Sequence, residues 1–148
     1  MGRMTTLEEA AGVGRGEHGL AVVSTLRADG TIQSTVVNAG VLAHPVTGDT
    51  ALAFVTYGKV KLANLRSRPQ VTTSFREGWR WATVEGTAEL VGPDDPRPEI
   101  GAERLRLLLR EVFTAAGGVH DDWDEYDRVM AEQRRTVVLV TPRRVYGS

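Results

Sequence analysis

Two lysines follow an apolar run and a glycine, and their placement sets the first functional question. The run from Thr50 to Val55 is typical of a strand, and the residues after Gly58 have the pattern of a short helix. Lys59 and Lys61 fall in the first turn of that helix, where the positive end of the helix dipole already repels cations. Free backbone amides at a helix start favour an anion. The pattern therefore indicates a phosphate site.

The same residues allow a second interpretation, in which both lysines are solvated surface groups. Arg66 and Arg68, at the other end of the helix, need no ligand, because cations stabilise a helix C-terminus. Pro69 then ends the helix, which is predicted over residues 60–68. Of these four basic residues, only Lys59 and Lys61 at the helix N-terminus need a functional explanation.

Length and composition exclude several classes of protein. A chain of 148 residues suits one domain, residues 1–148, with a core of its own. It has no cysteine, and its three histidines lie far apart in sequence, so disulfides, thiol chemistry and a metal site have little support. A net charge of −1 argues against binding to nucleic acid or anionic membranes. Without a membrane-spanning apolar run or a signal-peptide core, the protein is expected in the cytoplasm.

Turn signals and apolar periodicity divide the chain into elements that would hold the lysines in place. Turns such as Asp29-Gly30 join most of the predicted strands, which favours antiparallel pairing and closure into a small barrel. Thr6 and Glu9 form a capping box before a short first helix, and Pro142 is expected to end the last strand. Strands are predicted at residues 19–26, 31–42, 50–57, 70–75, 79–91 and 136–141, and further helices at 100–116 and 121–134.

The second predicted strand has polar residues on both faces. Gln33, Ser34, Thr35 and Asn38 surround Val36 and Val37, whereas a strand with one solvated face should alternate cleanly. This mixture suits a groove in which a polar ligand docks, and it also suits an ordinary edge strand.

The strand predicted at 79–91 carries two tryptophans and a glycine. Trp79 and Trp81 are two positions apart, so they are expected on one side of the strand, as core or as a dimer contact. Gly86 predicts a bulge or bend within it.

The succession of these residues resembles the pyridoxamine phosphate oxidase-like split β-barrel flavoproteins, and within them the branch that uses the deazaflavin coenzyme F420. The likeness runs through nearly the whole chain. It implies a mainly β fold, a six-stranded antiparallel split barrel of the FMN-binding kind with the short helix at one end. The carrying segments are Asp29-Gly30, Lys59-Val60-Lys61, Asn64-Leu65, Pro69, Thr83 to Leu90, His120-Asp121-Asp122-Trp123 and Val145-Tyr146-Gly147.

The resemblance also implies an activity and a set of cofactor-binding residues. It implies a homodimer with two sites across the subunit interface, in which reduced F420 gives a hydride to a small conjugated or quinone-like substrate. The cofactor ring performs the transfer, so no catalytic acid or base is named. Two alternatives remain: FMN in the same barrel, as an oxidase or flavin reductase, or a cofactor-binding protein without a substrate. The implied contacts are the phosphate at Gly58, Lys59 and Lys61 with Thr56 and Val60 beside it, the ring at Gln33, Thr35 and Val36, and Trp79 from the partner chain.

Overall fold

The structure, a computed structural model, describes residues 3–148 and orders them into seven strands and four α-helices. A turn of 3-10 helix, Arg15–Glu17, follows the first helix. No helix in this part of the chain is long and apolar enough to cross a membrane. The strands are β1 (Arg3–Met4), β2 (Leu20–Leu26), β3 (Ile32–Ala43), β4 (Thr50–Thr56), β5 (Gln70–Glu77), β6 (Arg80–Val91) and β7 (Thr136–Gly147). The helices are α1 (Leu7–Val13), α2 (Lys59–Ser67), α3 (Ala102–Ala115) and α4 (Trp123–Glu132).

Six of these strands close into an antiparallel barrel. Their order is β7-β4-β3-β2-β5-β6, and β6 pairs back with β7. The short strand β1 adds to the end of β7, with Arg3 opposite Gly147. The predicted six-stranded antiparallel barrel with short helices is thereby confirmed.

Short helices close the two ends of the barrel. At one end is α1, which begins after Thr6; the Thr6 hydroxyl accepts from the Glu9 amide at 3.1 Å, so the N-cap half of the predicted capping box is present. At the other end, α2 buries Leu62 and Leu65 in the same apolar core that the strands fill from inside. The start of α2 is thus fixed against the barrel by the burial of its own leucines.

The helices α3 and α4 form a second layer on the outside of the barrel. The apolar face of α3 packs mainly over β3 and β4, and Asp127 of α4 joins the two helices by accepting from Arg106 at 2.7 Å and from Arg110 at 2.9 Å. On the opposite outer side of the barrel, the outward-facing side chains of β2 and of the first half of β3 are exposed or half-buried, so neither α3 nor α4 covers them. The second core consists of Ala53, Val91, Ile100, Leu108, Leu109, Val112, Tyr126, Val137 and Leu139.

The last strand does not end at Pro142, so that prediction is wrong. β7 continues to Gly147, and Pro142 lies opposite Gly86, where the register of β6 and β7 shifts. Proline cannot donate to a ladder, and a bulge is a position where the ladder is already interrupted. The bulge predicted at Gly86 is confirmed, and it explains how the strand accommodates the proline.

Candidate anion-binding site

Lys61 is a buried cation with one hydrogen-bond partner among the described residues, and its Nζ also lies 5.9 Å from the ring centroid of Phe54. Its side chain is on the first turn of α2 and the residue is only 5% exposed. Nζ donates to Oγ1 of Thr56 at 3.1 Å, and no carboxylate of the described residues lies within ion-pair distance of it. Burial lowers the pKa of the Lys61 ammonium, and the charge of Arg135 lowers it further. A buried ammonium without an acid is the arrangement expected where an anionic ligand completes the charge balance.

Thr56 and Gly58 shape the space beside this ammonium. The Gly58 amide also donates to Thr56 Oγ1, at 3.2 Å. Gly58 has φ −68° and ψ 112°, which any residue adopts, so its backbone conformation does not require a glycine. A Cβ built on Gly58 would lie 3.9 Å from Nζ of Lys61. The glycine therefore keeps the space next to the ammonium open.

Arg135 is the second cation of the site, and no local sequence pattern predicted it. Its guanidinium carbon lies 3.9 Å from the ring centroid of Tyr57, and its Nε donates to Gln133 at 2.8 Å. Burial lowers the pKa of Arg135, and no carboxylate in residues 3–148 pairs with it. Its neighbour Arg134 is exposed and pairs with Asp94 at 2.6 Å. Two adjacent arginines after a helix look alike in sequence, and only the fold separates them.

The other predicted residues of the loop are at the surface. Lys59 and Val60 are exposed at the start of α2, on the turn that also carries Lys61. These two lysines are the only lysines among the chain's 18 basic residues. The fold thus brings Thr56, Gly58 and Lys61 together and leaves Lys59 at the solvent edge of the group.

Strand β3 sends the predicted ring-lining residues in two directions. Gln33 and Thr35 face inward, where Gln33 Oε1 accepts from Thr25 at 3.2 Å, and the Thr25 hydroxyl accepts from Asn64 of α2 at 3.0 Å. The hydroxyl of Thr35 is buried without a hydrogen-bond partner. Val36 faces outward and is 63% exposed. Within one chain, Gln33 is therefore linked to the lysine helix and Val36 is not.

Trp79 lies at the far end of the barrel. It belongs to the turn before β6, and it is 97% exposed. Trp79 and Trp81 do not share one side of a strand, because β6 begins at Arg80, and Trp81 instead packs edge-on against Tyr146 with ring centroids 6.1 Å apart. The other end of β6 is the one near α2, because the Ala88 amide donates to the carbonyl of Pro69, which follows that helix. A role for Trp79 in this site requires a second chain, and it stays a prediction.

A cavity of about 680 Å³ adjoins Arg135, the second of the two cations. It lies between the barrel and the outer helices, with Val55 and Arg135 on its wall. Val55 directly precedes Thr56, so the cavity and the anion site share a strand end. Its other lining residues come from α3, α4 and the loop between them, together with His18 and Asn38 on the barrel side.

A closed six-stranded antiparallel barrel with short helices places this protein in the class of split β-barrel proteins. The family model described as pyridoxamine 5'-phosphate oxidase matches residues 7–148, so the chain belongs to that family. The family consists largely of flavin-dependent oxidoreductases.

Solved structures share the fold at low sequence identity. A conserved hypothetical protein, Rv2991, from Mycobacterium tuberculosis is 21% identical, with a TM-score of 0.66 over 98% of this chain and 85% of its own. A protein described as an F420 reductase is 19% identical, with a TM-score of 0.61 over 95% and 97%. A FAD-binding protein from Mesorhizobium loti is 14% identical, with a TM-score of 0.59 over 99% and 96%. At these identities the likeness establishes the fold alone.

Proposed function

We propose that this protein is an F420-dependent oxidoreductase, in which reduced deazaflavin gives a hydride to a small conjugated or quinone-like substrate. The observation that carries the proposal is Lys61, a buried ammonium with no acidic partner among the described residues. Membership of the pyridoxamine 5'-phosphate oxidase family supports an oxidoreductase role. The F420 reductase that shares the fold supports the choice of cofactor.

The residues present fit a phosphate-bearing cofactor. The Lys61 ammonium has three protons and one protein acceptor, so it can donate further hydrogen bonds to phosphate oxygens. Arg135 adds a second unpaired cation, and Lys59 adds charge at the solvent edge. Gly58 leaves the space that the anion needs. The bound ring supplies the hydride chemistry, and the residues of this chain bind it, orient it and limit its contact with water.

The proposed active form is a homodimer with sites across the interface. The side of the barrel without helices exposes Leu20, Val22 and Val36 as one apolar group on β2 and β3, and the Ser24–Ser34 pair separates this group from the exposed Ile32. Apolar patches of this kind mark interaction surfaces. A second copy of the chain would cover this group, and it would bring its own Trp79 towards the site.

FMN is the second candidate cofactor, because its phosphate would meet the same cations. FMN would make the protein an oxidase of the pyridoxamine phosphate type or a flavin reductase. The FAD-binding protein of the same fold supports FMN as the alternative cofactor. A protein that binds either cofactor without turnover is the third possibility.

Calorimetric titrations of colourless purified protein with F420 and with FMN test which cofactor the protein binds. Charge-assisted hydrogen bonds of about 1.5–3 kcal/mol predict that Lys61→Ala weakens binding roughly tenfold to a hundredfold. Arg66→Ala is the matched control, since Arg66 is on the same helix but is paired with Asp95 at 2.7 Å. Protein that is yellow as isolated and binds FMN more tightly would overturn the F420 assignment. Turnover of quinones with reduced F420 then separates an enzyme from a binding protein.

A further inference from the structure

The cavity between the barrel and the outer helices has the size and lining of a small-molecule site. Ligand pockets in proteins typically measure about 300–1,000 Å³ and are mainly apolar with a few placed polar groups. This one, of about 680 Å³, has an apolar wall made by Val55, Phe113, Val129 and Met130. Val119, 92% exposed, lies at its edge. Nothing in the anion site described above accounts for this apolar volume.

His120 provides a hydrogen-bond donor on the cavity wall. Its Nδ1 accepts the amide of Asp122 at 3.0 Å, which places the proton of the neutral ring on Nε2. Nε2 has no hydrogen-bond partner among the described residues. The ring itself is held by Trp123 and Tyr126, with centroid distances of 5.8 Å and 5.7 Å. A fixed donor without an acceptor therefore borders an apolar space.

Tyr126 does not compete for this role. Its hydroxyl donates to the carbonyl of Leu109 at 2.8 Å, and burial raises the pKa of Tyr126 to about 12. On the other wall, Asn38 uses its amide to donate to the His18 carbonyl at 2.9 Å. The ring of His120 thus presents an unused N–H to the cavity among its aromatic neighbours.

We propose that this cavity is the site of the electron-accepting substrate, and that it binds a flat conjugated carbonyl compound whose oxygen accepts from Nε2–H of His120. This inference rests on the proposed function. The cavity is assigned to the substrate because Arg135 lines both this cavity and the cofactor's anion site. The aromatic cluster and the aliphatic wall favour a planar ring body. The neutral N–H of His120 favours a carbonyl oxygen as its acceptor.

Binding of two related probes to cofactor-free protein tests the assignment. Menadione carries two carbonyls on a methylnaphthalene body, and 2-methylnaphthalene has the same body without them. Both are expected to bind the wild type, as measured by calorimetry, and menadione more tightly. His120→Phe keeps an aromatic ring and removes the donor, so we expect it to weaken menadione about threefold to tenfold and to leave 2-methylnaphthalene unchanged. Equal weakening of both probes, or of neither, would overturn the hydrogen bond to His120.

A cavity-filling variant tests the location. Val129→Trp should weaken both probes at least tenfold, whereas Leu107→Trp, on the exposed side of α3, should change neither. If Val129→Trp does not fold, Val129→Phe fills part of the same space. Unchanged binding in a folded filling variant would place the probes elsewhere and end the proposal.

The same protein separates this inference from the proposed function. If wild type binds F420 but neither probe, with and without F420, the substrate site is wrong and the cofactor assignment stands. If it binds menadione in the cavity but not F420, the proposed function fails and the carbonyl-binding cavity remains. Lys61→Ala should lose F420 affinity and keep menadione affinity, because Lys61 does not line this cavity.

Discussion

The ammonium of Lys61 lies 3.1 Å from the hydroxyl of Thr56, and in the part of the chain that the structure describes this is its one hydrogen bond. Thr56 ends β4 and Lys61 is in the first turn of α2, so the contact joins the two elements on either side of Gly58. An ammonium has three protons to donate. The empty protein therefore keeps a charge partly desolvated and partly unsatisfied, and several predictions about stability and binding depend on this relationship.

Lys61→Met should stabilise the cofactor-free protein by about 1–2 kcal/mol near neutral pH, because it removes a buried charge and keeps most of the side-chain volume. The pKa of Lys61 is lowered in the folded state, so the unfolded chain holds this proton more tightly. The stability of the wild type should then rise with pH from the lowered folded pKa towards about 10.4, the ordinary value for lysine. Urea denaturation of both proteins between pH 7 and 10 measures the difference, which should shrink as the pH rises.

Lys59→Met is the control for that series, since Lys59 is exposed. It removes the same charge from the same turn of α2 without removing a buried group. A gap between wild type and Lys61→Met that is constant from pH 7 to 10 would contradict a titrating buried ammonium.

Arg135→Leu should weaken F420 binding about threefold to thirtyfold, because it removes the second cation without an acidic partner. Arg134→Leu is the neighbouring control, and it should leave affinity unchanged, since Arg134 is exposed and paired with Asp94. Calorimetric titrations at low and moderate salt measure both, and the effect of Arg135 should be smaller at higher salt. Equal losses in the two variants would mean that only net charge matters.

Gly58→Ala should weaken cofactor binding about tenfold without lowering stability. The added methyl would lie 3.9 Å from Nζ of Lys61, in the space proposed for the phosphate, while the backbone at φ −68° suits alanine. Gly101→Ala is matched to it, because Gly101 also precedes a helix and its Cβ would meet nothing within 4 Å. Titration with F420 and thermal denaturation of both variants check the two halves of the prediction. Full affinity in Gly58→Ala would mean that the anion lies away from this glycine.

Local signals predicted the barrel well, because hairpin turns such as Asp29-Gly30 specify antiparallel neighbours directly. They could not rank Lys59 and Lys61, which look equivalent in sequence but differ in burial once Leu62 and Leu65 enter the core. Nor could they find Arg135, which reaches the site only because β4 pairs with β7.

Pro142 is a second case in which a local sequence signal did not predict the structure. Read alone, a proline ends a strand, but here its partner position is the bulge at Gly86, 56 residues earlier in the chain. Pairing between distant segments decides the outcome, and a local pattern does not contain that pairing.

Gly86→Ala should destabilise the protein by roughly 1–3 kcal/mol or more, because the new Cβ would lie 2.4 Å from the backbone oxygen of Thr141. Gly12→Ala is the control, and it is expected to change the free energy of unfolding in the opposite direction. Gly12 is inside α1 with nothing within 4 Å of its Cβ, so alanine there should stabilise by about 0.4–1 kcal/mol. Urea denaturation measures both, and a neutral Gly86→Ala would contradict the close packing of β6 on β7.

Val22→Glu should convert the proposed dimer into a monomer. Val22 and Val36 lie opposite each other on the side of the barrel without helices, and both are substantially exposed. A stable interface commonly buries on the order of 1,600 Å², and a carboxylate placed without a partner at its centre costs several kcal/mol. Sedimentation velocity at micromolar concentration should therefore show a dimer for wild type and a monomer for Val22→Glu.

Val119→Glu is the control for this test, since Val119 is the more exposed valine but lies by the outer helices. It should remain dimeric, and circular dichroism should show that both variants keep the wild-type fold. If the interface completes the cofactor site, Val22→Glu should also lose F420 affinity while Val119→Glu keeps it. A monomeric wild type would remove the cross-subunit site and with it the role proposed for Trp79, whereas a monomeric Val22→Glu with full F420 affinity would confine the cofactor site to a single chain.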